Sequence, residues 1–112
     1  MHLRRWLASL FSKRGKALSF YRSGMLKARK HDYLGAIDDY TTALSSPHAP
    51  MDVRGMATYN RALAYAALNE DEKAAEDLAS MLKMPGLPQN IINEARQRRE
   101  RIRRRLSQGD AH

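Results

Sequence analysis

The chain contains no cysteine. Disulfides, thiolate metal sites and cysteine nucleophiles are therefore excluded. No apolar run approaches the roughly 20 residues that a membrane span requires. No glycine-rich phosphate loop and no nucleophile motif is present. The four histidines, His2, His31, His48 and His112, are scattered, and no two have metal-ligand spacing. Asp38-Asp39 and Asp71-Glu72 are adjacent in sequence, so on a helix they point in different directions and form no acid/base pair. These absences predict a protein that is not an enzyme, with no cofactor and no metal.

Negative charge is missing from one whole segment. The first 31 residues hold nine bases and no acid, whereas residues 32–95 hold ten acids against four bases. Residues 96–112 are basic again, with seven arginines against two acids, and the whole chain carries +8. Basic ends suit polyanions such as nucleic acid or anionic lipid. They equally suit the acidic middle of this chain or of a second copy, so self-association is open. At 112 residues and 43% hydrophobic, the chain is one small ordered domain.

What is present is a repeat. YLGAIDDYTTALSSP, residues 33–47, meets DEKAAEDLASMLKMP, residues 71–85, at an offset of 38. Ala36 falls on Ala74, Asp38 on Glu76, Asp39 on Asp77, Leu44 on Leu82 and Pro47 on Pro85. Upstream, Tyr21 meets Tyr59, Gly24 meets Ala62, Met25 meets Leu63 and Ala28 meets Ala66. A fixed offset that matches small with small marks a structural repeat. Each unit reads as two helices with a polar break between them, Lys30-His31-Asp32 in the first and Asn69-Glu70 in the second. Gly24 and Ala36, like Ala62 and Ala74, allow two antiparallel helices to approach, and Tyr40 and Leu78 fill the remaining gap. The acidic pair recurs as Glu76-Asp77, which predicts repeated helix surface.

These units resemble tetratricopeptide (TPR) repeats over about residues 17–86. The residues that carry the likeness are Phe20, Gly24, Tyr33, Ala36, Tyr40, Ala43, Leu44 and Pro47, then Tyr59-Asn60, Ala62, Tyr65, Leu68, Ala74, Leu82 and Pro85. The family period is about 34 residues, and the excess here falls in the loop Ser45–Met51, where insertion costs little. Lys27 stands where the family prefers an aromatic, and Met81 where it prefers alanine. The expected architecture is an all-α antiparallel helix-hairpin array, a TPR-like superhelix of two repeats with flanking amphipathic helices. Its segments are a basic N-terminal helix over 1–14, hairpins at about 17–47 and 53–85 within 15–87, a capping helix over 88–106 and a tail over 107–112. Ser12 to Gly15 is expected to break the first helix from the first hairpin.

The resemblance implies a non-catalytic interaction module, an adaptor or scaffold whose first helices line a concave face for a partner peptide or helix. By alignment that face includes Tyr21, Arg22, Met25 and Arg29, then Tyr59, Asn60 and Leu63. The competing reading packs the tyrosines and Met25 under the terminal helices. The stretch RQRRERIRRRL offers a basic patch of Arg96, Arg98, Arg101, Arg104 and Arg105, suited to the phosphates of nucleic acid or to a ribosome-associated protein. Few aromatics are interleaved there for stacking on bases, and a solvated face is the competing reading. The N-terminal stripe of Leu3, Trp6, Leu7, Leu10 and Phe11 reads as a cap on the array, as a peripheral membrane contact, or as an organellar transit segment. Location is accordingly expected to be cytoplasmic, with a membrane-peripheral or organellar alternative.

Overall fold

A computed structural model describes residues 2–110, with side chains described outside residues 6–13 and 110. Five helices follow in order: α1 His2–Arg29, α2 Tyr33–Ser45, α3 Met51–Ala67, α4 Asp71–Met81 and α5 Gln89–Asp110. No strand occurs among the described residues. Sequential helices pack on one another, α1 with α2, α2 with α3, α3 with α4 and α4 with α5. The fold is thus an all-α antiparallel helix-hairpin array, elongated to 65 × 28 × 20 Å.

The 38-residue repeat reappears as backbone geometry. His31 and Asn69, one period apart, both lie in the left-handed region, with φ of 64° and 61°. Around the first, the amide of Asp32 donates to the Lys27 carbonyl at 2.8 Å and that of His31 to Ala28 at 2.9 Å. Around the second, Glu70 donates to Tyr65 at 2.9 Å and Asn69 to Ala66 at 3.0 Å. Both pairs of bonds close a Schellman turn, which satisfies the last carbonyls of a helix and reverses the chain. The polar breaks are therefore the same helix stop used twice. Asp32 adds an N-cap to α2, its carboxylate accepting from the Gly35 amide at 3.0 Å.

Packing inside each hairpin follows the small-against-large pattern. Tyr40 is 1% exposed and lies directly over Gly24. A Cβ at Gly24 would sit 2.6 Å from the Tyr40 ring. In the second unit Ala62 and Ala74 pack with Leu78 and Met81, all buried, and Ala95 and Ile102 of α5 close that core. Gly55 leaves room for Leu87, whose side chain would collide with any Cβ there, so the α4–α5 connection docks on α3.

Burial pushes the Tyr40 hydroxyl pKa from its ordinary value of 10.0 up to about 12, reinforced by Tyr21 and Asp39 and opposed by Arg29. The folded chain therefore favours neutral Tyr40. The stability tied to this preference is complete below pH 10 and is lost as pH rises through about 12. Alkaline denaturant titrations should show a decline of about 2–3 kcal/mol across that window, and Tyr40→Phe should flatten this component. An unchanged slope in Tyr40→Phe would show that the hydroxyl is not the titrating group.

Three expectations are corrected by the fold. Ser12 to Gly15 does not break a helix, because α1 runs unbroken from His2 to Arg29. Ser, Lys and Arg are tolerable helix formers, and one interior glycine costs only about 1 kcal/mol. Nor does the last helix end at Leu106, since α5 continues through Asp110. The third concerns the recurring acidic pair. Asp38 and Glu76 are exposed, but Asp39 and Asp77 are only 8% and 7% exposed.

Each buried acid ties its hairpin together. Asp39 accepts from the Ser23 hydroxyl at 2.6 Å and pairs with Lys27 at 3.0 Å. Asp77 takes a two-pronged contact from Arg61, with Nε and Nη2 each donating at 2.8 Å. Lys27 thus has a job that an aromatic side chain could not do. In the second unit Tyr65 does hold that position, and the Arg61 guanidinium lies 6.0 Å from its ring centroid.

Candidate functional site: the groove between α1, α3 and α5

An open groove of about 390 Å³ is lined by residues of α1, α2, α3 and α5. Ala28 and Arg29 come from the last turn of α1, and Tyr33 and Tyr40 from α2. Asn60, Leu63, Ala64 and Ala67 supply the α3 wall, and Arg98 enters from α5. The floor is thus small and aromatic, with an arginine from each of α1 and α5. Alanines keep the floor low, which lets a partner backbone approach.

Of the seven residues carried over by alignment, Arg29, Asn60 and Leu63 line this groove. Tyr21 stands behind it. Its hydroxyl accepts from the Asn60 amide at 3.2 Å, and its ring lies 6.1 Å from that of Tyr40. Burial raises the Tyr21 pKa, and the Asn60 bond partly opposes this. Tyr21 therefore orients Asn60 while buttressing the floor. Met25 packs into the first hairpin's core, and Arg22 is exposed outside the lining set.

Tyr59 is a correction. It is buried in the second core, where Ala95 and Ile102 of α5 belong to the same cluster, and it has no free face to offer a ligand. The alignment presumes an open array, whereas α5 here covers the position. The Tyr59 hydroxyl is enclosed without a hydrogen-bond partner, close to Glu94 and Arg98 but outside bonding geometry. Burial first, then the nearby Glu94, raises its pKa.

Arg98 belongs to the groove rather than to a separate basic patch. Its Nε and Nη2 donate to Glu94 Oε1 at 3.2 and 3.0 Å. Burial works against its charge, but Glu94 and Tyr59 together outweigh this and its pKa is raised. The same bonds hold Glu94 below the ordinary carboxylate range. Arg29 forms none of the ion pairs found among the described residues. Alignment alone does not place Tyr33, Tyr40 or Arg98 in the groove. The first two sit on second helices, and Arg98 takes its place only through the register of α5 against α3.

A narrower crevice of about 80 Å³ continues from the groove between α3, α4 and α5, with Ala62, Leu63, Leu78 and Ile102 beneath Arg98, Arg101 and Arg105. Arg105 is anchored there by Asp71, its Nε and Nη2 each donating at 3.1 Å, so α5 is stapled to the start of α4. Arg104 pairs with Glu100 at 3.5 Å, and Arg96 and Arg101 lie on the open side beside it. No cluster of three or more His, Asp or Glu that could hold a metal occurs among the described residues.

This geometry defines a class of molecule: a helix-hairpin array whose first helices and terminal helix frame a basic groove with an apolar floor. Compared with models of known families, with curated proteins and with solved structures, the chain matches none. No helix among the described residues is long and apolar enough to cross a membrane.

Proposed function

We propose that the chain is a TPR-like, non-catalytic interaction module that seats an acidic peptide or helix of a protein partner in the α1–α3–α5 groove. The observation that carries this reading is the composition of the groove. Leu63 and the alanines give an apolar seat, and Arg29 of α1 and Arg98 of α5 belong to the same lining. Arginine forks onto carboxylates, and an asparagine amide can hold extended peptide backbone. The acid-free run in α1 and the arginine-rich α5 add positive charge to the two helices that supply Arg29 and Arg98, which favours an acidic partner. Adaptor or scaffold describes this role, and the array supplies rigidity rather than chemistry.

A pull-down from the native source, followed by titration of the captured partner, tests the proposal. Leu63→Asp and Arg29→Glu should each weaken that partner's binding by about thirtyfold or more, the scale of an interface hot spot. Arg104→Glu, outside the groove lining, should leave binding within about twofold. Circular dichroism must show all three folded. A partner that binds Leu63→Asp and Arg29→Glu as tightly as the parent protein would refute the groove reading. Capture that disappears on nuclease treatment would assign the arginines of α5 to nucleic acid instead.

A further inference from the structure

The first half of α1 extends past the array. The last turn of α2 lies beside Lys16, Ala17 and Phe20, so the helix N-terminal to Lys16 has no α2 alongside it. Residues 2–5 and 14–16 are exposed, with Leu3 67% exposed. The side chains of Trp6, Leu7, Leu10 and Phe11 lie outside the described residues, but the backbone there is helical and fixes their register. At 100° per residue, positions 3, 6, 7, 10 and 11 share one face. The same face continues at 17, 21, 24, 25 and 28, where Ala17 and Gly24 are buried and Tyr21, Met25 and Ala28 pack against α2 and α3. The apolar register that the array buries in the second half of α1 therefore recurs along the first half, interrupted by the exposed Arg14, and Leu3 on that face is exposed.

We infer that this arm is a membrane-docking helix that lies in the interface of an anionic lipid surface. Charge chooses the occupant. The arm carries Arg4, Arg5, Lys13, Arg14 and Lys16, and no acid appears before Asp32. By register, Arg4 and Lys13 flank the apolar face, where their stems can lie along lipid while their charges reach phosphate. Trp6 and Phe11 fall at the two margins of that face, the interfacial position that aromatic rings favour. A second copy is a poorer occupant. Two acid-free arms would set base against base. The exposed acids of α4, Glu72 and Glu76, match in charge, but none of the exposed large apolar side chains belongs to α4. The arm lies at the opposite end of the 28-residue α1 from Ala28 and Arg29 of the groove, so docking does not obstruct the groove.

Trp6 is the only tryptophan in the chain, so its fluorescence reports on the arm alone. The full chain should be titrated with pure phosphatidylcholine vesicles and with mixed phosphatidylcholine–phosphatidylserine vesicles. A blue shift is expected with the mixed vesicles, with partitioning more than about tenfold stronger than onto pure phosphatidylcholine and falling as salt rises. Leu7→Asp should abolish the shift, and so should Arg4→Glu with Arg5→Glu, two positions already exposed, while the thermal melt of the array stays unchanged. Leu63→Asp should still dock, which separates this inference from the groove reading. Absence of a shift on mixed vesicles would overturn the inference, as would an equal shift on both vesicle types. A blue shift that grows with protein concentration and needs no lipid would overturn it in favour of a second copy.

Discussion

Gly24→Ala and Tyr40→Leu are each expected to destabilise the protein, yet the double variant should lose less than the two losses added together. A Cβ at Gly24 would meet Tyr40 Cε1 at 2.6 Å and Cδ1 at 2.8 Å. The ring is 1% exposed and packed against Tyr21, so accommodating the Cβ requires repacking. Overpacking of this kind costs about 1–3 kcal/mol. The gain in helix propensity on replacing glycine, about 1 kcal/mol, offsets only part of it. Tyr40→Leu removes the clash partner but leaves a cavity, at about 2 kcal/mol. The second hairpin already contains the combined solution, with Ala62 and Leu78 one period along, both buried. Transplanting that pair as Gly24→Ala/Tyr40→Leu should show a favourable coupling of about 1–2 kcal/mol in a double-mutant cycle followed by urea unfolding. Additivity within about 0.5 kcal/mol would mean that the two positions do not pack as one unit.

That cycle rests on a pattern legible in the amino-acid sequence itself. A period of 38 residues aligns small with small and large with large, and the same period returns as two Schellman turns and two small-to-large contacts. Such features are local: a left-handed residue at 31 or 69, or a glycine beneath a tyrosine, is specified within one hairpin. The all-α hairpin architecture is legible for the same reason, because each element needs only its neighbour in sequence.

The corrected expectations have different causes, and for Tyr59 and Arg98 the cause is dependence on contacts remote in sequence. Alignment offers Tyr59 for binding while the competing reading packs it under a terminal helix, and the choice is made by α5, which joins only 30 residues later. Arg98 reads as one arginine among seven, and only its position opposite Leu63 and Arg29 makes it part of a groove. Asp39 and Asp77 read as surface because carboxylates usually are. Their cations, Lys27 and Arg61, stand 12 and 16 residues upstream on the facing helix. Helix continuity through Gly15 differs for the opposite reason, since a single glycine is too weak a local signal to stop a helix.

The two buried acids carry the last prediction. Arg61 ties α3 to both neighbours, through two bonds to Asp77 and a third from Nη1 to the Thr41 hydroxyl at 3.1 Å. The Asp77 bonds hold the guanidinium pKa above its ordinary range. Removing the arginine strands a carboxylate whose side chain is only 10% exposed, with little water to offset the lost partner. Arg61→Ala should therefore cost about 2–4 kcal/mol. This lies below the full figure for a dry pair, because the Arg61 side chain keeps 21% of its exposure. Lys27→Ala, its functional counterpart in the first hairpin, should cost under about 1 kcal/mol. Lys27 is 42% exposed, and the Ser23 hydroxyl still serves Asp39 in its absence. Replacing both members of the second pair, as Arg61→Met/Asp77→Leu, should recover most of the loss, because an apolar pair carries no desolvation penalty. Chemical denaturation of the three variants beside the parent protein decides the matter. Equal costs for Arg61→Ala and Lys27→Ala would show that burial does not set the value of these ties. Failure of the apolar pair to recover stability would place the contribution of Arg61 in its bond to Thr41, between the hairpins, rather than in its bonds to Asp77.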